Sequence, residues 1–265
     1  MNIMNIQTLK YGPDSHQVGD LYLTEGKPKA TLCLFHGGFW MLQYDRHQMD
    51  AISIFLLNQG YTVWNIEYRR AGYEGGGYPG TLEDVIDAVN YLGELSREYH
   101  NITMNQLYFI GHSAGGHLAF WLSKKGKGVT DKRLLYSPIR IIGLAPALDL
   151  VSIFDLYKGK YVLPFIGGAP QDFPDRYKHV SPIEMLPLNH KQLIIIGEKD
   201  SIIPVKQMKD YISKASSMNE EVQLIEVEGG EHMDFVDSHS SSFIELLNYL
   251  DSGQEGQLSM SEFVN

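Results

Sequence analysis

Three residues spaced widely along this 265-residue chain could together perform nucleophilic acyl transfer: Ser113, Asp200 and His232. A serine hydroxyl attacks a carbonyl only once a base takes its proton, and an imidazole serves when an anion fixes its tautomer. Ser113 lies in Gly111-His112-Ser113-Ala114-Gly115, between the apolar run Tyr108-Phe109-Ile110 and the helix-compatible Leu118-Ala119-Phe120-Trp121-Leu122. Gly-x-Ser-x-Gly so placed reads as a tight strand-to-helix turn that exposes the hydroxyl. Asp200 closes Gly197-Glu198-Lys199-Asp200 after the run ending at Ile196, and His232 sits in Gly229-Gly230-Glu231-His232-Met233 after the run ending at Val227. Open α/β sheets carry their sites at such strand ends, and the order Ser, Asp, His suits that architecture.

Attack also develops negative charge on the carbonyl oxygen, which needs N–H donors already in place. The N–H of Ala114 at the helix start supplies one. The second is expected from His36-Gly37-Gly38-Phe39-Trp40, with Gly38 and Phe39 the candidates. His36 and Gly37 are expected to fix this loop. Trp40 and Tyr68, with Phe39 and the aromatics of 149–180, are expected to border the substrate pocket.

Other groups could compete for these roles. Asp149 follows an earlier strand and could orient the base or cap the segment after it. Glu198 is nearer its strand end than Asp200, and Asp234 and Asp237 lie close to His232. His112 and His117 flank the serine, but the turn should aim His112 away from the hydroxyl. His239 reads as exposed, and His100, His179 and His190 have no partners at ligand spacing. With no His-Glu-x-x-His and one cysteine, no catalytic metal is expected, and no cofactor. Gly75-Gly76-Gly77 lacks the Lys-Ser/Thr of a phosphate loop.

The elements that must hold these residues alternate. Leu21-Tyr22-Leu23 reads as a short antiparallel strand after a polar, mixed first 20 residues, and further strands are expected at Ala30–Phe35, Tyr61–Ile66, Ile139–Ala145, Leu193–Gly197 and Val222–Val227. Between them, helices are expected over Arg46–Asn58, from Thr81 to about Tyr99, over Val205–Ser217 and over Phe243–Leu250. Thr81, with Asp84 three residues on, resembles an N-cap. Residues 149–190 break the rhythm with aromatics among Gly and Pro, as a cap or pocket-wall insertion would. The last dozen residues are polar and expected to fray. The pattern indicates one α/β domain over 1–265, a mostly parallel sheet covered on both faces.

Composition excludes other classes. A formal charge of −10 disfavours a nucleic-acid surface, and Lys124-Lys125-Gly126-Lys127 reads as a solvated helix end. Cys33 is the only cysteine, so no intrachain disulfide can form, and a buried strand position is expected for it. The first five residues have neither basic head nor apolar stretch, and no apolar run approaches 18 residues. A cytoplasmic enzyme of small-molecule esters or activated amides is expected, without membrane insertion. Its oligomeric state, homodimer included, stays open.

At several of these residues a resemblance emerges. His36-Gly37-Gly38-Phe39-Trp40 resembles the His-Gly-Gly-Gly oxyanion loop of the α/β-hydrolase esterases and lipases. Its Phe-Trp ending is still more similar to the His-Gly-Gly-Tyr-Trp version of arylformamidases (kynurenine formamidases). Gly111 to Ala119 resembles both groups, and Asn65 to Arg70, Tyr78-Pro79-Gly80 and Leu82-Glu83-Asp84 look like connecting segments of small acetyl-esterase-like hydrolases. The resemblance covers nearly the whole chain and implies an α/β-hydrolase fold, with Ser113 as nucleophile, Asp200 as acid and His232 as base. It implies a carboxylesterase of short acyl esters, or alternatively a hydrolase of N-formyl aromatic amides such as N-formylkynurenine. For the latter's amino-acid head group, Arg69 and Arg70 are the candidates. Phe39 departs from the commoner third glycine, which would narrow the acyl pocket there. An aspartate nucleophile, as in haloalkane or epoxide hydrolases, is ruled out by Ser113.

Overall fold

A computed structural model of the chain describes residues 5–124 and 127–261. Eight strands form one sheet: β1 Asn5–Lys10, β2 Val18–Leu23, β3 Thr31–Phe35, β4 Thr62–Ile66, β5 Leu107–His112, β6 Arg140–Leu144, β7 Gln192–Gly197 and β8 Val222–Val227. Their order is β1-β2-β4-β3-β5-β6-β7-β8. β1 and β2 are antiparallel, and β3 to β8 run parallel. Every residue of β3, β4, β5 and β7 is buried, as strands covered on both faces require.

The covering helices are α1 Asp50–Asn58, α2 Gly80–Leu95, α3 Ala114–Trp121, α8 Val205–Ser217 and α9 Ser241–Ser261. Adjacent strand residues point to opposite faces, and β4 shows which helix lies where. The Trp64 indole donates to Ala88 O on α2, while the Asn65 amide donates to Asp50 on α1. α1 meets α9 through Phe55 and Phe243, so these two share a face. α3 meets α8 through Phe120 and Tyr211 on the other, where right-handed crossovers also carry α2. Between β6 and β7 lie four short helices, α4 Leu150–Leu156, α5 Val162–Ile166, α6 Pro174–Val180 and α7 Pro182–Met185. Cys33 is wholly buried in β3, and burial pushes its thiol pKa up. Among the described residues no helix is long and apolar enough to cross a membrane.

Three expectations need correction. Residues 5–10, read only as polar and mixed, form β1, an outer antiparallel strand that half-buries Gln7 and Leu9 and exposes Ile6, Thr8 and Lys10. Thr81 does not cap α2, which begins at Gly80. Its hydroxyl donates to Arg69 O and accepts from Gly77 N, while Asp84 is taken by the Arg69 guanidinium and Gln17. The last helix runs to Ser261, well past the expected end at Leu250. Lys125 and Gly126 of the basic run, and residues 1–4 and 262–265, lie outside the described residues.

What positions the serine is a backbone approach. A methyl on Gly115 would overlap Phe35 O at the end of β3, and one on Gly111 would overlap Gly115 O. Gly115→Ala must therefore push α3 off the sheet. It should cost about 1–3 kcal/mol, as overpacking does, read as a lower urea midpoint. An unchanged midpoint would show that this contact is looser than described.

Candidate active site

Ser113 sits between β5 and α3 at φ 54 and ψ −116, a left-handed conformation that L-residues adopt only under constraint. The constraint is visible. Ser113 N donates to Leu144 O at 2.9 Å, and Ala147 N donates to Ser113 O at 3.1 Å, so β6 and the turn after it grip the serine from both sides.

The two later loops converge as expected. His232 Nδ1 lies 2.7 Å from Asp200 Oδ2, with the Asp200 side chain fully buried and that of His232 nearly so. Asp200 Oδ1 accepts from the N–H groups of Ile202 and Ile203, both at 2.8 Å. In this arrangement the imidazole donates its Nδ1–H to Asp200 Oδ2, which leaves the lone pair on Nε2. The rival acids are occupied elsewhere. Asp149 caps α4 through Val151 N and Ser152 N, Glu198 accepts from Gly229 N, Asp234 closes a capping box with Glu231, and Asp237 accepts from His239 N.

His112 has a place that sequence reasoning missed. Its ring packs 4.7 Å from that of His232, centroid to centroid, and its Nε2 donates to His232 O at 2.9 Å. It thus ties the serine turn to the histidine loop. Its period-2 direction was legible, but the loop it meets arrives 120 residues later.

The loop after β3 carries three successive left-handed residues, Gly38 at φ 99, Phe39 at 56 and Trp40 at 59. Two non-glycine residues there cost on the order of 1–3 kcal/mol each, and packing must hold them. Trp40 is buried, stacked 4.6 Å from Phe165, and its indole donates to His117 Nδ1 at 3.1 Å. His117 Nε2 in turn donates to Val180 O at 2.9 Å. Phe39 stacks 3.8 Å from Tyr161 and meets Tyr157 edge-on at 5.5 Å. Among the described residues, no protein oxygen accepts from the N–H groups of Gly38, Phe39 or Ala114. A methyl on Gly37 would lie 3.2 Å from His112 O, so this loop abuts the serine turn.

Two pocket expectations fail on burial. Trp40 is 1% and Tyr68 0% exposed. Tyr68 stacks on His36 at 4.3 Å and donates to His36 O at 2.9 Å, so it stands behind the loop. Neither Arg69, partly exposed, nor Arg70 is a free ligand. Arg69 clasps Asp84, and Arg70 is buried beside Glu67 with its guanidinium on Tyr44 O. His36 does support the loop, with Nδ1 2.8 Å from Gly37 O and Nε2 3.0 Å from Glu67 Oε1. Of the described residues, Asp20, His47 and Asp50 could crowd a cation, but Arg46 already holds Asp20 at 2.6 Å.

With this geometry in view, a family model described as BD-FAE matches residues 20–214, well over half of the chain. The chain belongs to the BD-FAE family. The matched BD-FAE region contains the serine turn, the loop after β3 and Asp200; His232 lies beyond it. The chain is also similar to Esterase LipC of Mycobacterium tuberculosis, 24% identical over 84% of this chain and 58% of that protein. A kynurenine formamidase of Drosophila melanogaster is 25% identical over 57% of this chain and 49% of its own. The chain thus spans about half to three-fifths of the length of these relatives. Among solved structures, Esterase B of Lactobacillus rhamnosis superposes with a TM-score of 0.81 at 18% identity, covering 98% of this chain and 89% of that one. The eight-stranded, mostly parallel sheet with its helices is the α/β-hydrolase fold that such esterase structures share.

Burial, and for His112 then the charge of His232, lowers the pKa of both His112 and His117 to about 3. Each is therefore neutral when folded and protonates on unfolding below about 6.5. Their contribution is complete above that value and declines as pH falls from 6.5 toward 3. We expect roughly 2 kcal/mol of stability lost per histidine between pH 7 and 5, measured by urea unfolding at both. His117→Phe should remove about half of that pH dependence. Equal stability at pH 7 and 5 would contradict the neutral burial.

Proposed function

We propose that the protein is a serine carboxylesterase of short-chain acyl esters, working through an acyl-enzyme. The observation that carries this reading is the Asp200–His232 pair held to the strained Ser113 turn through His112, beside a loop whose amides have no protein acceptor. His232 Nε2 takes the Ser113 proton, and Ser113 Oγ adds to the ester carbonyl. The N–H groups of Ala114, Gly38 and Phe39 receive the oxyanion. Collapse expels the alcohol, protonated by His232, and water activated by the same nitrogen releases the acid. Asp200 holds the tautomer throughout.

The segment 149–190 serves as the pocket wall in this reading. Phe39, Tyr157 and Tyr161 pack together beside the loop amides, which favours small acyl groups. The names of LipC and Esterase B agree with ester hydrolysis. The formamidase reading draws on the Drosophila relative and on Phe39-Trp40. It is weakened because Arg69 and Arg70 are both held in ion pairs.

An organophosphonate should attach to Ser113 in the native protein and to nothing in Ser113→Ala, as read by mass spectrometry. With p-nitrophenyl acetate, butyrate and octanoate, kcat/KM should decline along the series. A label surviving in the alanine protein would remove the nucleophile, and preference for octanoate would remove the short-acyl claim. An N-formylkynurenine value about 10²-fold above acetate, roughly 2.7 kcal/mol of transition-state binding, would favour the formamidase.

The acid is tested separately. Asp200→Asn should lower kcat by about 10²–10⁴, since the imidazole loses its orienter. Asp149→Asn should only weaken the start of α4. The reverse ranking in kcat, with both proteins folded, would move the acid to Asp149.

A further inference from the structure

His36 meets acceptors on both sides. Its Nδ1 faces Gly37 O at 2.8 Å, and its Nε2 faces Glu67 Oε1 at 3.0 Å. A carbonyl oxygen cannot donate, and neither can a carboxylate. A neutral imidazole has one N–H, so it could satisfy only one of the two contacts and would leave the other as a lone pair against an oxygen. The side chain is fully buried, so water cannot relieve that conflict.

Glu67 is the anion of the pair. Burial alone would raise its carboxyl, but the charge and hydrogen bond of His36, then Arg70 and the Arg46 N–H, bring it down to about 2. Oε1 also accepts from Tyr68 N at 3.0 Å, and Oε2 from Arg46 N at 3.1 Å. The Arg70 Nε is 3.4 Å and the Arg46 Nη1 4.0 Å from the carboxylate. The remaining titratable neighbours are Tyr68, stacked on the ring, and His112, which burial holds neutral.

The consequence runs through one peptide plane. A trans peptide sets its C=O and N–H on opposite edges. By holding Gly37 O, His36 turns the Gly38 N–H to the far edge, away from itself. Neighbouring groups are all engaged: His36 O by Tyr68 Oη, Gly37 N by Gln48 Oε1, Gly38 O by Met41 N. A positive charge on the carbonyl side also polarises the peptide, making the Gly38 N–H a stronger donor.

We propose that His36 is a buried imidazolium, paired with Glu67, that positions and polarises the Gly37–Gly38 peptide as an oxyanion donor. It is a positioning residue that acts without touching substrate, and the proposal rests on the esterase reading above.

The test begins with the native protein. In ¹⁵N-histidine spectra at pH 7.5, assigned with His36→Gln, both ring nitrogens of His36 should carry protons. A bare nitrogen would overturn the proposal whether or not any variant folds. Glu67→Gln removes the anion, so His36 should become neutral, with one bare nitrogen. In that protein kcat for p-nitrophenyl acetate should fall about tenfold or more, with KM within about threefold, and Glu67→Asp should recover part of the loss. A neutral His36 in Glu67→Gln with kcat unchanged would also overturn it. Failure of the esterase reading looks different: the phosphonate would not label Ser113, while the His36 spectrum would stand.

Discussion

The site depends on one close approach, that of the first turn of α3 to the carboxyl ends of β3 and β5. Packed layers ordinarily lie about 10 Å apart, but here Gly111 and Gly115 let backbone meet backbone. The approach forces Ser113 into its positive φ and brings the Ala114 amide beside the loop after β3. Leu144 at the end of β6 and Ala147 just beyond it complete the clamp. In the proposed mechanism, nucleophile and oxyanion donors therefore share one rigid body, which is what preorganised electrostatic stabilisation demands.

That body stores strain, and the layer beneath it holds the strain in place. Three consecutive left-handed residues would relax in an isolated loop. Trp40 prevents this from one side, through Phe165 and the His117–Val180 relay, and the Glu67 cluster prevents it from the other. A buried carboxylate among two arginines and a histidine adds little net stability, since desolvation offsets attraction. Its value lies in geometry: removing any member leaves an uncompensated charge, so the arrangement has few alternatives. The same cluster explains why Arg70 could not serve as a substrate ligand.

Much of this was legible in the chain. Apolar runs ending at Ile110, Ile196 and Val227 located Ser113, Asp200 and His232, because parallel strands deliver the loops at their carboxyl ends to one edge of the sheet. The β8 and α8 boundaries agree for the same reason, local pattern and tertiary need coinciding. Thr81 misled because a capping pattern says nothing of Arg69, whose guanidinium takes Asp84 and whose carbonyl takes the threonine hydroxyl. Tyr68 and Trp40 looked like pocket residues because aromatics near a site can face either way, and burial is settled by partners distant in sequence. The link from His112 to His232 was hidden likewise.

The aromatic wall shows how the intervening helices join this frame. Phe39 belongs to the loop after β3, and its ring lies on Tyr161 and against Tyr157, both from the short connection between α4 and α5. Tyr157 Oη in turn donates to Ile202 O at 2.9 Å, on the same short turn whose amides hold Asp200. One chain of contacts thus runs from the loop after β3, across these aromatics, to the turn that holds Asp200. A side chain that widened the wall at Tyr157 would also loosen the turn that fixes Asp200. In the proposed mechanism, acyl-group selection and base orientation would therefore be coupled through one hydroxyl, and Tyr161, stacked on Phe39 and 5.1 Å from Tyr157, would tie the strained loop into the same chain of contacts.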